Sequence, residues 1–351
     1  MCVLGPGHFF SPSLTGLVLQ CALILPIPTM QRPASIAIVI PVYNGVKHLE
    51  ACLRSALLQN GVDFEVWIGD DGSTDGSQQI IERFRGSRVH IVATKSNRGL
   101  FANLNQLIRA TKSPFVHILC QDDILERDCL ALELRRFSRF PRVGLIFSKS
   151  SSIDDGGQEL GRGALHDIPN TLRPELALQH FFYHGCIPSN LSTVALRRTA
   201  FLGTGGFDER YKVSGDFDLW TRLCRTWDMG VIHAHQVRVR SHARQLSAAD
   251  SSGPQFVSEN RLIRQEIVPN LPLSVQSAAD EFERRRYGVL DVHYALRSLL
   301  KGRYGNVRRV IDTMGLKSFL AGAVTWLVTA NNRLSRPAAQ FVLPSDYRVG
   351  P

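Results

Sequence analysis

No two of the seven cysteines of this chain stand in a C-x-x-C pair, and they form no short-range framework. That excludes a disulfide scaffold and a zinc knuckle, so Cys2, Cys21, Cys52, Cys120, Cys129, Cys186 and Cys224 read as reduced thiols in a cytosolic protein. Glycine-rich nucleotide signatures are missing too. No G-x-G-x-x-G follows the first strand-like run and no G-x-x-x-x-G-K loop occurs, which argues against a Rossmann dehydrogenase and a P-loop enzyme. Long hydrophobic runs are lacking, since Leu14 to Ile27 and Phe319 to Val328 both fall short of the about 20 apolar residues that span a bilayer. The first of these has no Lys or Arg before it and no clear small-x-small cleavage site after it. Residues 1–30 therefore read as an N-terminal extension upstream of a start at Met30. Internal repeats are absent.

What is present is enough for a large core. At 351 residues and 44% apolar content, the chain reads as one large domain or two ordinary ones. The formal net charge is +10, and from Arg244 onward 15 Lys and Arg face 9 Asp and Glu. A membrane surface, a lipid phosphate or nucleic acid would each satisfy that basic excess, as would a solvated basic face.

Ile36, Ile38 and Ile40, with Ala37 and Val39 between them, predict a doubly buried strand ended by Pro41, and Asn44-Gly45 opens a turn. Val46, Leu49, Leu53, Ala56 and Leu57 then repeat at helical spacing, and Phe64, Val66 and Ile68 build the next strand. Ser73, Thr74 and Asp75 are caps for a further helix. Strands over 89–92, 115–119 and 143–147 alternate with helical stripes at Leu100, Leu104, Leu107 and Ile108 and at Leu130, Leu134 and Phe137. Such alternation predicts an α/β protein with a mostly parallel sheet covered on both faces. Ser148 to Asn170 reads as a loop or weak hairpin. Helices are expected over 174–184 and 216–228 and strands over 191–196 and 231–239, before a basic helical region beyond Ser247.

Four stretches end apolar runs in acidic or amide residues: SIAIVIPVYN, FEVWIGDDGSTDGS, PFVHILCQDDIL and GGFDERYKVSGDFDLW. In an open α/β sheet such positions fall at the carboxyl ends of strands, where these sheets bind ligands. Together with NRGLFANLNQLIRA they form an ordered set that resembles the signature of family 2 inverting nucleotide-sugar glycosyltransferases of the GT-A fold. The likeness covers about Ser35 to Ser247. It implies a Rossmann-like, mostly parallel central sheet, with 31–147 as the nucleotide-sugar half, 148–247 as the acceptor half and 248–351 as a helical, basic extension.

The chemistry narrows the residues. Charge building on a leaving diphosphate calls for a divalent cation, and the adjacent carboxylates Asp122 and Asp123 repel one another unless a cation or proton lies between them. Mg2+ or Mn2+ on oxygen ligands is the expectation; the alternative is that Asp123 caps the following helix while Asp122 is solvated. The family often carries Asp where this chain has Cys120. By resemblance, Asp70 and Asp71 face the donor base and ribose, Tyr43 stacks on the base, Pro41 shapes the strand exit, and Arg98, with Asn97 and Gly99, suits a phosphate or base edge. Asp122 counts among the donor-binding residues as well as the metal ligands. Asp216 in SGDFDLW is the expected general base for in-line attack, with Asp218 as the alternative and helix capping open for both. VRVRSHARQLS resembles the family's Arg-x-His segment, giving His242 a role at the metal or diphosphate.

The resemblance thus implies a UDP- or dTDP-sugar donor and a glycan or lipid-linked glycan acceptor. No nucleic acid partner is implied, while the basic C-terminal region suggests peripheral contact with the inner face of a membrane. A catalytically silent nucleotide-sugar-binding module and a nucleotidyltransferase stay open. Asn190-Leu191-Ser192 is a formal glycosylation sequon, set aside for want of a credible signal.

Overall fold

The computed structural model describes residues 34–163, 168–188, 190–242, 245 and 252–331. The extension expected over 1–30 lies outside them. Strands β1 (Ile36–Val42), β2 (Phe64–Asp70), β3 (Val89–Ala93), β4 (Phe115–Ile118), β5 (Ile124–Leu125), β6 (Val143–Ile153), β7 (Glu159–Arg162), β8 (Thr171–Leu172), β9 (Val194–Arg197) and β10 (Asp228–Arg240) build one sheet. Its order is β3-β2-β1-β4-β9-β6-β10-β5, with β7 on β6 and β8 on β10. The first four strands in that order are parallel, β9 runs antiparallel between β4 and β6, and β10 is parallel to β6.

Every residue of β1 is buried because helices cover both faces. Ile36, Ile38 and Ile40 pack with Leu49, Cys52, Leu53 and Ala56 of α1 (Leu49–Leu57) and Ile80 and Ile81 of α2 (Ser77–Arg83). Val39 points the other way, into a larger core with Leu104, Leu107 and Ile108 of α3 (Leu100–Ala110) and Phe217 and Trp220 of α7 (Gly215–Leu223). A fully buried Ile or Leu of this kind stabilises the fold by roughly 2 kcal/mol, so a charge at Ile38 would disrupt the layer formed with α1 and α2. Val46 precedes α1 and is exposed rather than part of its stripe.

β1 runs past Pro41 to Val42, where the sequence predicts an end. The reason lies in strand parity: Val42 O accepts Asp71 N on the β2 side at 2.8 Å, whereas Pro41 turns its missing donor toward β4, whose ladder stops at Val39 paired with Ile118. The irregular stretch after Ser148 is a hairpin, because β6 continues to Ile153 and returns through β7. β6 therefore spans residues 143–153, and the two expected halves share one sheet. The strand expected over 191–196 is shorter, being a 3-10 turn at Leu191–Thr193 followed by β9.

α4 (Cys129–Arg139), α5 (Pro174–His184) and α6 (Arg198–Gly203) complete the layers. Beyond the sheet come α8 (Ser252–Ile267), α9 (Leu273–Phe282), α10 (Gly288–Leu300), α11 (Tyr304–Met314) and α12 (Leu316–Asn331). α8 packs Ile263 and Ile267 into the main core, while Val292, Ala295, Val310 and Met314 form a separate small core with Val257.

Candidate active site

The loops at the carboxyl ends of β1 and β2 are stitched together by their own polar side chains. Asn44, the single described non-glycine residue with positive φ, accepts the Thr74 N–H at 2.8 Å, while Ser73 Oγ accepts Asn44 N at 3.0 Å and Ser77 Oγ accepts Gly45 N at 2.9 Å. Asp75 takes Val46 N and Ser77 N, both at 3.0 Å, and so closes the start of α2. Tyr43 leaves this arch 45% exposed, with its backbone clamped by Gln121 at 2.9 and 3.1 Å. An exposed ring on a backbone fixed this firmly is available for stacking.

Asp70 and Asp71 are both buried at the end of β2. Asp70 accepts Ser73 N at 3.1 Å and Gln78 Nε2 at 2.9 Å; Asp71 accepts Thr94 Oγ1, Arg98 N and Gly99 N at 3.0, 2.9 and 2.8 Å. A carboxylate has about four acceptor positions, so Asp70 retains more capacity for a ligand than Asp71. Asp71 anchors the Asn97-Arg98-Gly99 loop, and the Arg98 guanidinium lies against Gln106 of α3. Behind Asp70, Asn103 Nδ2 donates to Gly69 O at 2.7 Å, and a Cβ on Gly69 would stand 2.1 Å from Asn103 Oδ1.

After β4 the chain turns through Cys120, Gln121, Asp122 and Asp123. Asp123 is 1% exposed and does not cap α4; its Oδ2 accepts Ser192 Oγ at 2.5 Å and its Oδ1 accepts Arg240 N at 2.8 Å. Ser192 also accepts Cys120 N at 2.8 Å, which fixes the turn from the 3-10 segment before β9. The half-buried Asp122 meets His242 Nε2 at 2.8 Å. Buried Arg240 donates to Asp122 O at 2.9 Å and to Asp154 O and Asp155 O at 2.9 and 3.0 Å, joining β10, the acidic turn and the β6–β7 turn. Asp155 holds Lys47 and His48 Nε2, and the His48 ring lies 5.5 Å from that of His242. Burial, then the neighbouring Arg240 charge, lowers the His48 pKa.

Burial and the charge of Asp122 push the Asp123 carboxyl up to about 7. Two carboxylates with that mutual penalty and an imidazole beside them are donors of the type Mg2+ or Mn2+ takes. Both Asp123 oxygens are, however, occupied by protein donors, and among the described residues the ligand atoms that gather within 4.8 Å of one another are those of buried His117, Cys129 and Glu133.

Asp216 stands in the first turn of α7, partly exposed but deep in protein, and burial pushes its carboxyl up to about 6. Its Oδ1 accepts Phe217 N at 2.8 Å, and Cys186 Sγ lies 4.0 Å from Oδ2. Asp218 is engaged elsewhere: it takes Arg222 Nε and a second guanidinium nitrogen at 3.0 and 2.5 Å, and Arg222 in turn holds Thr204 O and Gly206 O. Of the two aspartates of this motif, Asp216 is the one partly exposed, Asp218 being buried. The Cys120 thiol, raised well above its ordinary value by burial, also feels Asp123, Asp122 and Asp216. All three carboxylates are thus within electrostatic reach of one thiol, although Asp216 is distant from the others in sequence.

Several residues of this arrangement carry no signature in the sequence. Glu259 of α8 accepts Lys212 N, Val213 N and Ser214 N at 2.8, 3.0 and 2.7 Å, and so fixes the loop ahead of Asp216. Asn105 of α3 brackets Phe207 through N–H and C=O at 2.8 and 2.9 Å, and Gly206, at φ +91°, leaves Asn105 the room a Cβ would fill. Ser192, legible only as a glycosylation sequon, is wholly buried against Asp123. Asn103 and Asn105 could have been found as amides on the apolar face of an otherwise regular stripe.

A sequence profile described as "Glycosyl transferase family 2" matches residues 37–190. The hyaluronan synthase of Pasteurella multocida is 27% identical over 195 residues, which is 55% of this chain but 19% of that protein; the chain thus spans a small part of the synthases it matches. An uncharacterized protein of Mycobacterium tuberculosis is 30% identical over 259 residues, 70% of this chain and 79% of its own length. Among solved structures, residues 1–349 of S. aureus TarS in complex with UDP-GlcNAc superpose with a TM-score of 0.60 at 16% identity, covering 86% of this chain and 93% of that one. The mannosyltransferase PcManGT of Pyrobaculum calidifontis, in complex with GDP-Man and Mn2+, gives 0.51 at 16% identity over 88% and 78%.

Proposed function

Since the chain belongs to glycosyl transferase family 2 and is a glycosyltransferase of GT-A fold, we propose that it transfers a sugar, with inversion, from a nucleotide-diphosphate sugar to a hydroxyl of a glycan or lipid-linked glycan. The observation that supports this reading most is that Asp122, Asp123 and Asp216, from separate stretches of sequence, all lie within electrostatic reach of the Cys120 thiol just after β4. Relatives bound to UDP-GlcNAc and GDP-Man support the donor class, and UDP or dTDP is the nucleotide favoured here.

The geometry supports the following roles. Tyr43 stacks on the base at the strand exit shaped by Pro41, Asp70 accepts from the base or ribose, and Asp71 keeps the Arg98 loop in place. Asp122, Asp123 and His242 would hold Mg2+ or Mn2+, which when bound offsets the charge developing on the leaving diphosphate. Asp216 accepts the proton of the acceptor hydroxyl: with its carboxyl near 6 it is ionised at neutral pH yet basic enough for general-base work. Cys186, at 4.0 Å, marks the acceptor side of that carboxylate. The enzyme works in the cytoplasm, in peripheral contact with the inner face of the membrane where polysaccharide precursors are assembled.

The test is donor hydrolysis or transfer screened over UDP-, dTDP- and GDP-sugars with and without Mn2+. Metal-dependent turnover that disappears in Asp123→Ala supports the reading. A melting shift with UDP plus Mn2+ but no turnover of any sugar would favour a silent binding module, a reading that Cys120 at a position often acidic in the family keeps open.

A further inference from the structure

α12 is apolar around most of its circumference, yet among the described residues it is packed on one side. Phe319, Ala323 and Trp326 face the small core of Val292, Val310 and Met314. Leu316, Leu320, Val324 and Leu327, spaced as a single stripe, are 62%, 55%, 61% and 58% exposed. A helix of this composition is ordinarily buried on all sides, so the stripe calls for a covering partner. The surrounding chain specifies its chemistry. Between residues 296 and 331 there are six basic side chains, Arg297, Lys301, Arg303, Arg308, Arg309 and Lys317, against the single acid Asp312. Arg297, Lys301, Arg308, Arg309 and Lys317 are exposed, and Leu300 and Tyr304 stand out beside them at 88% and 70%.

We infer that α12 is an interfacial helix that docks the enzyme on an anionic lipid surface, its exposed stripe in the acyl boundary and the basic residues on the headgroups. This deepens the peripheral-membrane reading above and rests on it. At 16 residues the helix is about 24 Å long, short of the hydrocarbon thickness, so it lies in the surface rather than across it. Among the described residues no helix is long and apolar enough to cross a membrane. A second copy of the chain is the poorer occupant, because it would set one cluster of six cations against another, whereas anionic lipid meets stripe and charge together.

The test is flotation of the full chain with phosphatidylcholine vesicles, with and without phosphatidylglycerol. Binding to the anionic vesicles alone, weakened by salt, is expected, as is a loss of at least about tenfold in the Leu320→Glu, Val324→Glu double variant. Donor hydrolysis by that variant should equal wild type, which separates failure of docking from failure of the transferase reading. An Arg308→Glu, Lys317→Glu variant should weaken binding without touching the stripe. Three results overturn the inference. One is vesicle binding that the double variant leaves unchanged. Another is wild type that ignores anionic vesicles and is dimeric by light scattering, with the dimer lost in the double variant, which assigns the stripe to a second copy. The last is a monomer that ignores vesicles, which assigns it to residues 332–351 of the same chain.

Discussion

The carboxylate of Glu259, on a helix outside the sheet, accepts the backbone N–H of Ser214 at 2.7 Å across 45 residues of sequence, two positions before the proposed base. With the bonds to Lys212 N and Val213 N it gathers three consecutive amides onto one side chain. The C-terminal helical region is thereby coupled to the acceptor side of the site, and its charge is one of the influences that raise the Asp216 carboxyl.

Glu259→Ala should therefore act on both stability and catalysis. Three amides lose a charged acceptor, and a melt followed by circular dichroism should register a loss of roughly 2–3 kcal/mol. Glu259→Gln, which keeps an acceptor oxygen but removes the charge, should shift the acid limb of the transfer profile to lower pH. An unmoved acid limb in this variant would mean that Asp216 is not the titrating base.

Asp216→Asn should abolish transfer, by about a hundredfold or more, while leaving the affinity for UDP plus Mn2+ nearly unchanged. In wild type, kcat should rise with pH through about 6, as burial holds the carboxyl above its ordinary value. Isothermal titration with UDP and a pH profile of transfer measure the two arms, and an equal loss of nucleotide affinity would place Asp216 on the donor side.

How much of this was legible depends on how local each cause is. β1 could be read because burial on both faces leaves a run of Ile, Val and Ala that needs no knowledge of its neighbours. Asp122 and Asp123 could be read because a carboxylate pair straight after a buried strand is chemically costly by itself. In the fold their charges, with that of Asp216, reach the Cys120 thiol. The partners of Asp123 could not be found this way: Ser192 is 69 residues away and Arg240 is 117, and both are brought in by the antiparallel β9 and the return of β10. Asp218 likewise gave no hint of Arg222 as its partner rather than a helix cap.

Ser192→Ala tests that hidden shell. It removes the 2.5 Å donor to Asp123, and the Cys120 N–H loses its acceptor, in a setting with no exposure to water. The Asp123 carboxyl should rise further, because that hydrogen bond opposes the effects of burial and Asp122. Manganese affinity at pH 7, read by isothermal titration, should fall roughly tenfold, with recovery at higher pH where Asp123 ionises. Loss of affinity that is the same at all pH values would point to a collapsed turn instead.

The last prediction concerns a buried acid remote from the site. Asp291 of α10 is 8% exposed, its Oδ2 has no hydrogen-bond partner among the described residues, and burial, opposed by Arg264, pushes its carboxyl up to about 7. The folded state thus holds this proton more tightly than the unfolded chain, whose carboxyl titrates near 3.8. Stability from this group is complete below about pH 4 and is lost as pH rises through about 7. Asp291→Asn keeps the shape and never ionises. At about pH 4, where wild-type Asp291 is protonated in the fold and still partly so in the unfolded chain, the variant should melt close to wild type or slightly above it. At pH 8 it should melt higher, by an amount on the order of 2 kcal/mol. Melting curves at the two pH values decide it, and a variant less stable at pH 8 would show that the ionised carboxylate is the form that Arg264 retains.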